Sequence, residues 1–302
     1  MMPTITMAQD TVYGLAASAG VVYAARQSGL ARSFDAGRTW DDAFANLRDW
    51  QPSPVTAAAL HGDTVLAGVK GAVVCSTDAG ANWNIVGLAS PPPTVTAIAI
   101  SPNFVADGTA LVGTADDGVF VTTDCGAHWT AWNFGLVDMH VYALAFSPAY
   151  GDDKLILAGT ESGLFSSRNG GRGWSEIDFP MSAAPVISLA FAPTFATDGR
   201  VYAGTEASGL FVSTDHGSKW HPVDDALLSG GVNAVLMAGK PEANVYALLE
   251  DKVVLSADSG VTWQPSTIRL PSGSVPMSLC LHPTDASALL LGFADGEILS
   301  TA

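Results

Sequence analysis

Positive charge is scarce in this chain of 302 residues: 13 Lys and Arg stand against 29 Asp and Glu, a formal net charge of −16. A nucleic-acid binder needs a basic surface that displaces counterions from phosphates, and this composition supplies none. An anionic membrane surface is disfavoured for the same reason. Cysteine is scarce too. Cys75, Cys125 and Cys280 are odd in number and match no metal-ligand spacing. No metal or cofactor is therefore expected, and reduced thiols point to the cytoplasm. Long apolar runs are missing, since the longest are strand length and none spans a bilayer. Met1–Asp10 has neither a basic start nor an apolar core, so it does not read as a signal peptide. Linkers, low-complexity tracts and long helical patterns are also missing, which leaves a single domain, 1–302.

What is present is repetition. Hydrophobic residues make up 48% of the chain, arranged in short runs punctuated by Gly, Pro and Asp. One octad recurs six times: Ser33–Trp40, Ser76–Trp83, Thr122–Trp129, Ser167–Trp174, Ser213–Trp220 and Ser256–Trp263. Its third residue is Asp35, Asp78, Asp124, Asn169, Asp215 or Asp258, its fifth is glycine, and it closes on Trp40, Trp83, Trp129, Trp174, Trp220 or Trp263. Successive tryptophans are 43, 46, 45, 46 and 43 residues apart. Asp-x-Gly is a turn signal: the carboxylate accepts bonds from nearby N–H groups, and glycine takes the positive φ of a tight turn. Asn169 makes the same local bonds. The tryptophan offers an apolar face for packing between neighbouring sheets.

The rest of each period reads as strand. In the third period the runs are 94–100, 109–114, 118–122 and 128–132. Four strands in such a period describe one blade of a β-propeller. A period of about 44.6 residues fits about 6.8 times into the chain. Six blades are complete and a seventh, from Ser274 to Ser300, is one strand short. The predicted fold is all-β: a seven-bladed propeller of four-stranded antiparallel blades, its ring closed by the N-terminal strand Pro3–Met7 completing blade seven. Closure leaves only short, protected edges, and removing residues 1–8 is expected to lower the melting temperature.

These octads match Ser/Thr-x-Asp-x-Gly-x-x-Trp, and the chain resembles the Asp-box, or BNR-repeat, β-propellers along nearly its whole length. That group includes sialidases, xyloglucanase-type glycoside hydrolases, sortilin-type receptors and Ycf48-type photosystem II assembly factors, which this chain resembles best in size, blade number and octad density. The resemblance implies the fold but leaves function open, because the octad is structural in enzymes and binders alike. A sialidase would need three converging arginines and an early Arg-Ile-Pro motif, which is absent. Xyloglucanase-type enzymes place a cleft between two propellers, and one is present. The assembly factors present an arginine-rich patch; here Arg26, Arg32 and Arg48 gather in blade one and no larger patch forms.

The octad turns share one face with the turns joining first and second strands. Turns joining second and third strands lie on the opposite, channel face. Read in order they carry Arg26, Lys70, Asp116 and Asp117, Glu161, Glu206, Glu250 and Asp251, and Asp295. Trp50 and His140 enter the same face from blade-to-blade loops, with Phe134, Met139, Phe179 and Met181. The expected activity is non-catalytic: a mostly acidic channel face that recognises a protein or a small polar or cationic ligand, in a monomer. The alternative is a carbohydrate-active enzyme, a glycoside hydrolase or lyase, using paired carboxylates at the channel mouth. Asp-rich turns on the octad face, such as 103–108, 151–153 and 197–199, read as turns rather than calcium loops.

Overall fold

The computed structural model describes residues 10–47, 51, 53–180, 185–239 and 244–302. It is a seven-bladed β-propeller. Six antiparallel sheets have four strands each in sequential order, and blade seven has three among the described residues. The predicted closing strand, Pro3–Met7, lies outside the described residues. Blade three runs Val95–Ile100, Ala110–Thr114, Val119–Thr122 and Thr130–Ala131, within a residue or two of the sequence reading. Blade seven runs Pro276–Leu281, Leu289–Phe293 and Ile298–Ser300.

Each octad forms the same turn. In the first, the Ser33 hydroxyl donates to Asp35 at 2.8 Å and accepts from the Gly37 N–H at 2.8 Å, while Asp35 accepts from the Thr39 N–H at 2.8 Å. Asn169 repeats the pattern, accepting from Gly173 at 2.9 Å and from Ser167 at 2.9 Å. The fourth residue of five octads, Ala36, Ala79, Cys125, His216 and Ser259, has positive φ. The octad turns bond the first-to-second-strand turns of their own blades, as Cys125 N–H to Gly108 O at 3.1 Å and His216 N–H to Gly199 O at 3.0 Å, which places both on one face. Where turns were expected around 103–108, 151–153 and 197–199, the chain makes single helical turns, Phe104–Asp107, Tyr150–Asp153 and Phe195–Asp198. Their last carboxylates fold back onto Ser101, Ser147 and Thr194. Among the described residues no group of three His, Cys, Asp or Glu is placed to hold a metal ion.

Blades interlock by shape. The first strand of most blades begins with a fully buried valine, Val12, Val95, Val141, Val186 or Val232. Each fits over a glycine in the second strand of the preceding blade: Gly292, Gly68, Gly113, Gly159 and Gly204. A Cβ on any of these would lie 2.3–3.0 Å from a valine methyl, so the close approach excludes a side chain. Blade six has Leu248 in that position, and there the following blade starts with Pro276 in place of valine. Side chains of the innermost strands add bonds to the next blade: Thr56 to Val95 O at 2.6 Å, Thr96 to Val141 O, Ser188 to Val232 O at 3.2 Å, Asn233 to Pro276 O at 3.4 Å and Ser278 to Val12 O at 3.5 Å. The last of these joins blade seven to blade one, as does Thr11 to Ala294 O at 2.8 Å.

Candidate functional site

The channel face is built by two repeated devices. At the end of the second strand a buried threonine ties the turn: Thr114 donates to Gly118 O at 2.8 Å, Thr160 to Gly163 O at 3.1 Å and Thr205 to Gly209 O at 2.8 Å. Just beyond them Asp116, two residues after its threonine, and Glu161 and Glu206, directly after theirs, are exposed. Blade-entry loops bond these turns, Glu161 N–H to His140 O at 3.1 Å and Glu206 N–H to Pro185 O at 3.0 Å. The second device is a β-bulge at the start of the innermost strand. The register breaks at Val12/Gly14, Val141/Ala143, Val186/Ser188, Val232/Ala234 and Pro276/Ser278, and Thr96 is skipped in the same way. A bulge re-aims the extra side chain, so Tyr13, Thr96, Tyr142, Ile187, Asn233 and Met277 hold one structural position around the channel mouth.

Blades three to five bring the densest chemistry together. The His140 Nδ1 is 3.2 Å from Asp138 and 3.4 Å from Glu161, and its Nε2 is 3.4 Å from Asp116. Thus one imidazole faces carboxylates at both ring nitrogens. Burial pushes the Asp138 carboxyl up, but N–H bonds from His140 and Ser162 and the hydroxyls of Ser162 and Thr160 outweigh it and hold the group at about 2. Burial raises the Tyr142 phenol, and the fields of Glu161, Asp138, Glu206 and Asp116 raise it further. Asp138 and Tyr142 are the two members that sequence reading did not select. Asp138 had a local signal, since an Asp shortly before a strand commonly bonds the N–H two residues on, here His140 at 3.0 Å. Tyr142 reads as an ordinary strand residue, and only the bulge turns it to the mouth.

The remaining predicted residues are distributed around the ring. Arg26 pairs with Asp10 at 2.9 Å and lies 5.8 Å from the Trp40 ring centroid, so its charge is already engaged in blade one. This is the one Lys or Arg ion pair among the described residues. Lys70, Glu250 and Asp251 are exposed on blades two and six. Asp117 is half-buried at the blade-three turn, where its N–H donates to Thr114 at 3.0 Å. Asp295 accepts from the Ser274 hydroxyl and from the Glu297 N–H at 3.1 Å, and these bonds lower its carboxyl. Trp50 and Met181 lie outside the described residues. Phe134 is exposed on the outer rim, its carbonyl accepting from Trp174 N–H at 2.8 Å. None of Cys75, Cys125 and Cys280 is in a disulfide; burial pushes Cys75 up to about 11 and Cys280 to about 12.

No protein-family model matches the chain, and no curated protein matches it. Solved structures do. One described as YCF48 bound to D1 peptide aligns over 97% of this chain and 93% of its own, with a TM-score of 0.74 and 17% identity. Streptogramin B lyase aligns over 98% and 96%, with a TM-score of 0.75 and 10% identity. A GH74 xyloglucanase from Xanthomonas campestris aligns over 97% of this chain and 52% of its own, with a TM-score of 0.75 and 18% identity. A peptide binder and two enzymes thus share one backbone with this chain, and at such identities the likeness establishes the fold alone. No helix among the described residues is long and apolar enough to cross a membrane.

Proposed function

We propose that the chain is a non-catalytic binding propeller whose channel face takes a cationic ligand, most simply a basic segment of a partner protein. The carrying observation is the convergence of Asp116, Asp138 and Glu161 on His140, with Glu206 of the next blade acting on the neighbouring Tyr142, and with no Lys or Arg paired to any of the four among the described residues. Carboxylates on a rigid rim with no Lys or Arg beside them attract and orient positive charge. The peptide-bound structural neighbour supports this reading, and the octad geometry supports membership among the Asp-box propellers, of which the Ycf48 type is similar in size and blade number. The net charge of −16 argues against nucleic acid, and three free thiols fit a reducing compartment such as the cytoplasm. Calorimetric titration with a basic peptide tests it. Asp116→Asn, Glu161→Gln and Glu206→Gln combined should weaken binding at least about tenfold, with a lower salt slope. Equal affinity for the combined variant overturns the reading.

A second reading has its own support. Asp116 and Glu161 flank one imidazole, so two carboxylates and a His–Asp pair face a common space, the parts required for proton transfer. On that reading the chain is a glycoside hydrolase or lyase. A turnover assay on oligosaccharides decides: activity abolished by Glu161→Gln would replace the binding reading.

A further inference from the structure

Below the rim lies the central channel, a cavity of about 270 Å³ walled by the innermost strands of all seven blades. No residue lining it is charged. Its hydroxyl side chains share one property: their protons point elsewhere. Thr56, Thr96, Ser188 and Ser278 each give their hydroxyl proton to a carbonyl of the next blade. Tyr13 gives its own to Gln27, and Asn233 gives an amide proton to Pro276 O. A hydroxyl has one proton and two lone pairs, so what these side chains have left for an occupant is mainly acceptor capacity. Apolar groups stand beside them at the mouth: Ile187, and Met277, which is 38% exposed.

An acceptor-rich, uncharged hole beneath a carboxylate rim favours a multiple donor on an apolar stem. We propose that the channel is a socket for a primary alkylammonium, three N–H donors on a chain of methylenes, as carried by a lysine side chain. The stem lies against Ile187 and Met277, and the ammonium donates to the channel acceptors. Arginine fits less well, because its wide planar fork is built for paired carboxylate oxygens and engages the rim instead. The proposal takes its preference for cations from the rim reading and adds depth and selectivity to it.

The test measures affinity of the full chain for a Gly/Ser hexapeptide with one internal lysine, against the same peptide carrying Nε-acetyl-lysine or arginine, and against 1,5-diaminopentane. The lysine peptide should bind at least about tenfold more tightly than its acetylated form, which loses the charge-assisted donors, and more tightly than the arginine peptide. Met277→Trp should plug the mouth and abolish the lysine preference while leaving the rim carboxylates intact. Thr96→Val keeps shape, removes one acceptor and should weaken lysine binding several-fold, with an unfolding curve reporting integrity. Binding of the diamine as tight as the peptide marks a free amine as the ligand and still supports the socket. Equal affinity for lysine and arginine peptides, unaffected by Met277→Trp, overturns the socket and leaves the rim reading standing. Lysine selectivity that survives the rim neutralisation overturns the rim reading and leaves the socket. No detectable binding of any probe overturns both.

Discussion

The two faces of this propeller carry similar numbers of carboxylates and use them in opposite ways. On the octad face Asp35, Asp78 and Asp124 are each bonded inside their own turns, first by the side chains of Thr39, Asn82 and His128, which hold them at about 2. On the channel face Glu206, Glu250 and Asp251 accept no hydrogen bond among the described residues, and Asp116 and Glu161 meet only His140. One set of acids is spent on folding. The other set stands on the second-to-third-strand turns, tied by a threonine in blades three to five, and is left free. Residue type alone does not separate them; the turn each occupies does.

Perturbations of either side should expose that division. The largest effect is expected where the ring itself is keyed: a Cβ on Gly204 would lie 2.7 Å from Val232 O and 2.2 Å from the Ser188 hydroxyl, so Gly204→Ala should cost roughly 1–3 kcal/mol in chemical denaturation. Next comes Ser213→Ala on the octad face. It removes the acceptor of the buried Gly217 N–H, bonded at 3.0 Å, and should cost about 1–2 kcal/mol. Acid should act on this face too. Because the octad carboxylates titrate lower folded than unfolded, their contribution is complete above about pH 4 and is lost as the pH falls towards about 2. Asp35→Asn, which copies the natural Asn169, should preserve the turn and flatten that acid limb in melts recorded across the window. Smallest is the channel face, where His140→Gln or Glu206→Gln should change stability by less than about 1 kcal/mol while Glu206→Gln weakens cationic ligands. A stability loss at Glu206 matching that at Ser213 would erase the contrast between the faces.

The fold was legible because the octad is a local device. Its Ser, Asp, Gly and Trp fix a turn wherever they occur, and six evenly spaced copies count the blades. The channel-face carboxylates were legible by register, since the second-to-third turn recurs at a fixed offset. What escaped was non-local. The bulge that brings Tyr142 to the mouth arises from pairing between Val141–Phe146 and Ile156–Thr160, and strand alternation gives no sign of it. Arg26 looked available in the sequence because its partner Asp10 lies across an inter-strand contact. The glycines opposite the valines read as weak strand residues until the neighbouring blade is in place.

That valine-and-glycine fit has a consequence for assembly. Five of the seven blade-to-blade joints set a peg on one blade into a notch on its neighbour, a head-to-tail joint repeated within a single polypeptide, and such joints stay finite only when their rotation closes on itself. Here Val12 over Gly292 supplies the last joint. Remove one unit of about 45 residues, and an orphan peg and an orphan notch remain at opposite ends of an arc, each complementary to the next molecule's. The same geometry makes a discrete disc at seven blades and leaves an open joint in any arc that falls short of closure.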